Sequence, residues 1–513
     1  MNEGEQPRDP VSSGRRIIDR AYLRGDGVLD RGQQHVFRLF WVFLPETSVA
    51  RKPKFQQVMA SRFLSDAGQQ LLTYGALIAV VRDGGSAFQA ALVGVATILP
   101  PALFGLYGGA VADALPKRVA LAAIYNLQAV LCFVVPVLFG TDLSSVLFLL
   151  FAVNVLGQVS GPTESSVIPF VASEEELASS ASLVSLSSNL GTAFGTAILA
   201  PIIVRVFGVQ EVFFIGGVLL VLAASRVFDL TTRQKRRKLN WRRPNVNVRA
   251  TIAWLTHEPA VGTMIIVAVL AGVANIILQT LAPRYVSSAL GVDPADAVYV
   301  FGPSAIGLGV ALIASPRMIR LVGERATALL GFLVLATSLC LLGFIDEVAG
   351  ALDWINPLGI LAWFGIDLSE KMRTAGFLAM FAGFGLSLTT TAVQTYLNRR
   401  VPLSYQGRAF ALQSTLKNAS AILPLLALGA IATVTSVEAI LIVTPVILLA
   451  LAFMLVRVSY ALGGEEPARR LDVLASFWEE SQTPVQAPAF ALPRDTRPKP
   501  EAKAEHDQEH HPA

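Results

Sequence analysis

Long apolar runs recur along this chain at short intervals, over 58–81, 86–108, 118–139, 144–168, 178–204, 210–229, 258–282, 297–317, 325–345, 374–398, 406–433 and 437–458. Each supplies the ~20 residues that an α-helix needs to cross a ~30 Å hydrocarbon layer. The runs lack alternation of period two and are too long for barrel strands. They therefore read as helices, which satisfy their own backbone groups inside lipid. Composition agrees, because 53% of the 513 residues are hydrophobic and 15% are charged, whereas a soluble globular protein carries about 25% charged residues. Too few charges remain to cover a water-facing surface, which excludes a soluble enzyme and a fibrous protein. The expected fold is all-α: a polytopic membrane protein with twelve transmembrane helices in two six-helix, parallel-repeat bundles.

Basic residues orient the spans. With the N-terminus inside, the inner connections hold Lys117, Arg118, Arg317, Arg320, Arg325, Arg399, Arg400 and Arg408, and the segment 230–256 adds Arg233, Lys235, Arg236, Arg237, Lys238, Arg242, Arg243 and Arg249. The outer connections hold only Arg82, Arg205, Arg284, Lys371 and Arg373. Under the positive-inside rule this asymmetry places both termini in the cytosol. The net charge of +4 thus belongs to membrane orientation, and no nucleic-acid partner is expected. Cys132 and Cys340 both fall inside apolar runs, so a disulfide framework is not expected. No basic n-region leads into a short apolar core near Met1, so no cleavable signal peptide is expected.

The basic segment divides six helices from six. The expected units are a cytosolic tail over 1–54 with an interfacial stretch at Val36–Leu44, a bundle over 55–229, a linker over 230–256, a second bundle over 257–458 with a long outer connection at 346–373, and a largely disordered cytosolic tail over 459–513. In that last tail Leu471, Leu474, Phe477 and Trp478 share one face of a short helix, and His506, His510 and His511 read as solvated, with no metal site expected. The halves look alike. Pro116-Lys117-Arg118 has a counterpart in Val322-Gly323-Glu324-Arg325, and Ile168-Pro169 has one in Val401-Pro402. Parallel halves with a substrate path between them are a transporter plan.

Three enzyme signatures are missing from the chain: G-x-x-x-x-G-K-[ST], H-E-x-x-H and G-x-S-x-G. It therefore carries no P-loop to cradle ATP phosphates, no enzyme activity or cofactor is expected, and transport driven by an ion gradient or running passively remains. Polar residues inside the spans are the candidates for chemistry, since charge in hydrocarbon is costly. In the first span Arg62, Asp66, Gln69 or Gln70, and Thr73 form one stripe at helical spacing. Asp66 lies about one turn, ~6 Å, inside the cytosolic boundary. Two readings are open for it, a membrane-edge pair with Arg62 or a protonatable carboxylate in the inner vestibule. Asn154 and Gln158 share a face of the fourth span, and Glu164 near its inner end reads as a proton carrier or an inner-gate contact. In the second half Asn275, Gln279, Gln394 and Asn418 are candidate substrate contacts, together with Gln70, Thr73, Asn154 and Gln158. Lys417 reads either as a snorkelling lysine or as a counter-charge to Asp66 or Glu164 across a cavity.

The turn after the second span runs Gly108-Gly109-Ala110-Val111-Ala112-Asp113-Ala114-Leu115-Pro116-Lys117-Arg118. It resembles the major facilitator superfamily signature of glycine, three residues, aspartate, a basic residue, any residue, glycine and two basic residues. Ala114 and Pro116 depart from it. Arg62-Phe63-Leu64-Ser65, Pro169 with Glu174-Glu175-Glu176-Leu177, and Val401-Pro402 with Gln406-Gly407-Arg408-Ala409-Phe410 resemble the bacterial branch holding siderophore, macrolide and multidrug exporters and lysophospholipid transporters. The resemblance covers about 55–458 and implies two bundles working by alternating access in a prokaryotic inner membrane. It assigns gating to Gly109, Asp113, Lys117, Arg118, Gly407 and Arg408, while the cost of charge inside the spans makes Asp66, Glu164, Arg62 and Lys417 the candidates for proton or ion coupling. Helix five matches the antiporter motif only at Gly191 and Gly195, with Thr196 where Gly-Pro stands in the family, so its small residues read as packing. Helix four lacks the arginine of many proton-coupled exporters. The expected function is secondary transport of a small amphipathic or hydrophobic molecule, with efflux in exchange for protons. Expected partners are that substrate, membrane lipid and protons, on a monomer. Lysophospholipid handling and a transport-inactive sensor or assembly factor are the alternatives.

Overall fold

The computed structural model describes residues 49, 52–114, 116–172, 176–228, 259–352, 356–359, 368–401 and 403–462. The segments 36–44, 230–256 and 471–478, for which an interfacial stretch, a linker and a short helix are expected, lie outside the described residues. The first six long helices are α1 (Pro53–Arg82), α2 (Ala87–Ala114), α3 (Lys117–Phe139), α4 (Leu143–Ser165), α5 (177–206) and α6 (Val209–Phe228). The second six are α7 (Pro259–Ser288), α8 (304–322), α9 (324–343), α10 (Glu370–Arg400), α11 (Leu403–Val434) and α12 (Val437–Leu462). No strand occurs among the described residues.

Among the described residues ten helical segments are long and apolar enough to cross a membrane. One of these, Pro294–Gly343, holds both α8 and α9. They meet at Gly323, whose φ of 83° and ψ of 163° lie where only glycine goes without strain. The amphipathic α1 completes the twelve, its charged and amide stripe keeping it less apolar than the rest. Turn chemistry ends α1: Gly84 at φ 77° lets the Gly84 and Gly85 amides close back on the carbonyls of Val81 and Val80 at 3.1 and 2.8 Å. The outer connection expected at 346–373 begins as a short helix, Ile345–Leu352.

α5 is built of Leu177–Phe194, a π-helical turn at Gly195–Leu199, and Ala200–Val206. Pro201 offers no N–H to the carbonyl four residues earlier, and the widened turn stands immediately before it. A Cβ on Gly191 would lie 2.5 Å from the Phe63 carbonyl oxygen, and one on Gly195 would come closer still to that of Ala67. These two glycines therefore let the α5 backbone rest on α1.

The same neighbours recur in both halves. α1 packs on α5 and α6, and α3 on α4 and α6; α7 packs on α11 and α12, and the α8–α9 unit on α10 and α12. Gly331 and Gly385 bring α9 against α10, each occupying space where the other's carbonyl leaves no room for a Cβ, at 2.7 and 2.5 Å. Leu71, Leu72, Leu149, Leu150, Phe213 and Leu220 are buried in the first half, and Tyr285, Phe332, Leu335 and Leu397 in the second. Outward faces are apolar as well. On α3 Leu127, Val130, Val134 and Val137 are exposed at three- and four-residue spacing, the face a bilayer would cover.

α2 and α11 join the halves, most closely near the Arg82 end. Gly429 sets its backbone 2.5 Å, measured to an added Cβ, from the Ala91 side chain, and Gly94 abuts Leu425 and Thr280 at 2.8 Å in the same measure. Phe88 N donates to Thr433 Oγ1 at 3.3 Å. At the end carrying Arg82, two ion pairs span the halves: Arg82 Nη2 with Asp293 Oδ2 at 3.3 Å and Arg205 Nη1 with Asp296 Oδ1 at 2.8 Å. Arg284 Nη1 adds a bond to the Gly85 carbonyl at 3.4 Å.

Candidate functional site

The polar stripe of α1 faces inward between helices. Arg62, Asp66, Gln69, Gln70 and Thr73 are half-buried on a helix whose intervening positions are mostly buried. Helical spacing places Asp66 one turn above Arg62, and Arg62 Nε meets Asp66 Oδ2 at 2.8 Å. The same guanidinium reaches across to α4, where its Nη1 pairs with Glu164 Oε2 at 2.5 Å. It also extends to α5, donating from Nη2 to Ser188 Oγ at 3.2 Å. Ser188 donates in turn to Asp66 Oδ2 at 2.5 Å. Tyr125 of α3, fully buried, donates its hydroxyl to Glu164 Oε1.

Four helices thus converge on one arginine and two carboxylates. Glu164 is 3% exposed and holds two donors, while Asp66 keeps more access. A carboxylate buried without donors is costly, and here each has them. The cluster carries one formal negative charge, which a single proton would neutralise.

Around this cluster the amides divide. Thr196 Oγ1 donates to Gln70 Oε1 at 3.4 Å, linking α5 to α1 beside the π-helical turn. Thr73 Oγ1 bonds back to the Gln69 carbonyl at 3.0 Å. Asn154 Nδ2 and Gln158 Nε2 donate to their own helix, at Leu150 O (2.8 Å) and Asn154 O (3.0 Å). Gln128, wholly buried, donates to Val153 O at 2.8 Å and keeps its Oε1 without a partner. In the second half Gln279 Nε2 and Asn275 Oδ1 lie 3.4 Å apart on the exposed face of α7, and Gln394 is exposed on α10. Asn418 is buried and bonds to Ser414 O at 2.8 Å.

Lys417 makes no ion pair with Asp66 or Glu164. Both are held by Arg62. Of the gating set, Lys117 is buried and Arg118 half-buried at the start of α3, and both have interaction partners. Gly109 and Asp113 lie in α2 and Gly407 and Arg408 in α11, with their side chains outside the described residues.

Tyr125, Ser188 and Gln128 carry no signal of their own in the sequence. Tyr125 and Gln128 are polar positions in an apolar run, and Ser188 is one of several serines in α5. At the end carrying Lys117, a second network escaped the sequence too: Arg399 Nη1 pairs with Glu324 Oε1 at 2.5 Å, Arg325 Nη2 donates to Tyr396 Oη at 3.0 Å, and Arg325 and Arg400 both lie over the Tyr396 ring.

Twelve long helices among the described residues, in two similarly packed sets with charged groups held between helices of the first, define a multi-pass membrane protein. The chain belongs to the Major Facilitator Superfamily, whose sequence pattern matches residues 58–370. No curated protein matches the sequence. Among solved structures the fold is similar to the nucleoside transporter NupG, with TM-score 0.60 at 12% identity over 78% of this chain and 98% of that one. It is also similar to a bacterial homologue of the human lysosomal transporter Spinster in an inward-facing, occupied conformation (TM-score 0.54, 12% identity, 83% of this chain and 95% of that one). A bacterial homologue of the iron transporter ferroportin in an inward-facing state gives TM-score 0.54 at 14% identity over 80% of this chain and 99% of that one. At these identities the likeness is one of fold. Membership of the family marks a secondary membrane transporter.

Proposed function

We propose that the protein exports a small amphipathic or hydrophobic molecule across a prokaryotic inner membrane in exchange for protons, by rocking of its two six-helix bundles. The observation that carries this reading is the sharing of Arg62 by Asp66 and Glu164. One cation between two carboxylates leaves a charge that a proton can cancel, and the groups come from α1 and α4 of the first bundle, with Ser188 of α5 and Tyr125 of α3 as donors. Protonation of one carboxylate frees part of the guanidinium's bonding capacity. The strength of the α1–α4–α5 contact is thereby tied to proton occupancy.

With both termini cytosolic, as the basic residues favour, the Arg82 end faces outward. Closure there by the Arg82–Asp293 and Arg205–Asp296 pairs corresponds to a form open to the cytosol. The Lys117 end, with Gly109, Asp113, Lys117, Arg118, Gly407 and Arg408, is then the inner gate. Gln70, Thr73, Asn154, Gln158, Asn275, Gln279, Gln394 and Asn418 supply polar contacts for substrate between the bundles.

The test is substrate-dependent proton flux in proteoliposomes against a panel of amphiphiles, for wild type, Asp66→Asn and Glu164→Gln. Antiport predicts coupled proton movement in the wild type that both variants lose or strongly reduce. Substrate movement with no proton movement would defeat antiport, and wild-type behaviour of both variants would defeat the site assignment.

A further inference from the structure

Lys417 stands near the midpoint of the 32-residue helix α11. At 1.5 Å per residue, ~20 Å of helix or more lies to either side of it. The apolar span begins at Ala409, eight residues or ~12 Å before Lys417 along the axis, which is longer than a lysine stem, so the ammonium lies within the span and not at its edge. The stem lies against Gly272, itself near the middle of α7. A Cβ on Gly272 would sit 2.5 Å from Lys417 Cδ and 2.7 Å from Cγ, and the missing side chain makes the groove in which the lysine runs. Lys417 is half-buried. It makes no hydrogen bond or ion pair among the described residues. One turn earlier on the same face, Gln413 keeps Oε1 buried without a partner. On α7, Gly272, Asn275 and Gln279 share one face by their spacing, with Asn275 half-buried and Gln279 exposed.

An unpaired cation at this depth is costly. In the first bundle the comparable charges, Arg62, Asp66 and Glu164, are all paired. We propose that Lys417, in the groove left by Gly272, binds the anionic head group of the transported amphiphile, a carboxylate or a phosphate, at mid-depth between α7 and α11. The proposal deepens the transport reading and rests on it. The arriving anion supplies the counter-charge that the protein withholds, and the amides of Asn275 and Gln279 offer donors beside it. The tail of the same molecule finds apolar surface on either side.

Binding to the purified full-length protein in detergent tests this, with 11-(dansylamino)undecanoic acid and its primary amide as probes read by dansyl fluorescence. The two differ in charge and share everything else. The wild type is expected to bind the acid at least tenfold tighter than the amide. Lys417→Gln abolishes that preference, Lys417→Arg keeps most of it, and Gly272→Ala weakens the acid several-fold while sparing the amide. Equal affinities in the wild type, no saturable binding of the acid, or an acid preference that survives in Lys417→Gln would overturn the proposal. Displacement of the acid by lysophosphatidic acid assigns the head group to a lipid source, and displacement by dodecanoate alone assigns it to a free fatty acid. Either supports the site.

A thermal melt separates this role from a structural one. Removing an unpaired buried charge in Lys417→Met should leave the midpoint unchanged or raise it, and a fall would count against ligand binding. The transport reading is judged apart. Proteoliposomes that move acid and amide alike, with protons, would sustain transport and sink the lysine site, whereas Lys417-dependent acid binding without any transport would do the reverse.

Discussion

Replacing Arg62 by methionine removes the one cation shared by Asp66 and Glu164 while keeping the length and apolar stem of the side chain. In the native cluster the guanidinium lies 2.8 Å from Asp66 and 2.5 Å from Glu164, and Glu164 is 3% exposed. Breaking a buried ion pair by deleting one partner typically costs about 3–5 kcal/mol, because the other charge is left without compensation. Arg62→Met strands two carboxylates, although the Tyr125 and Ser188 hydroxyls still donate to them, so a loss near ~4 kcal/mol is expected. For soluble domains of 150–250 residues 1 kcal/mol moves the melting midpoint by roughly 2–4 °C, which gives a drop of about 8 °C or more. Arg62→Met combined with Glu164→Gln removes the deepest stranded charge and should recover more than half of the loss. The double-mutant cycle then reports a coupling of at least ~2 kcal/mol. Midpoints from intrinsic-fluorescence melts of the four proteins in one detergent settle the matter. A single variant within 1–2 °C of wild type, or a double variant whose losses simply add, would refute the claim that this arginine organises the cluster.

Tyr125→Phe deletes one donor to Glu164 and should cost about 1.5–3 kcal/mol, the range for a hydrogen bond to a charged group, seen as a lower melting midpoint. Asp293→Asn and Asp296→Asn each sever a partly exposed pair, so stability should change by ~1 kcal/mol or less. Maleimide labelling of a cysteine introduced at Gln70, in a cysteine-free background, should nonetheless rise from the Arg82 side, and unchanged labelling would show that the pairs do not hold that end closed. Gly195→Val forces the α5 backbone off Ala67 and should destabilise by ~1–3 kcal/mol, with a melt indistinguishable from wild type as the contrary result.

The helices were legible in the sequence because bilayer length imposes a single scale on apolar runs, and the twelve spans emerged from it despite differing hydropathy. What the runs concealed was interruption. The break at Gly323 has the same composition as the helices it separates, and only its dihedrals reveal it. The connection after α9 begins as helix because Ile345 and Ala349 find a buried seat, which no local pattern announces. At the site, charge spacing on α1 located Arg62 and Asp66, and rarity located Glu164 and Lys417. Which of these groups meet depends on how α1, α3, α4 and α5 pack, so Tyr125 and Ser188 stayed hidden, and so did the pairing of both carboxylates with Arg62 rather than with Lys417.

The contacts of α2 with α11 have one more consequence. Near Ala91, Gly94, Leu425 and Gly429 the two backbones interlock, whereas toward the other end a Cβ on Gly105 would meet Thr415 at an ordinary 3.4 Å. The seam is therefore tight at one place and slack at another, like scissors riveted off-centre. In the rocking proposed above, motion about that rivet would give the longer arm, on the Lys117 side, the wider swing, while the short arm would need only to release the partly exposed Arg82–Asp293 and Arg205–Asp296 pairs.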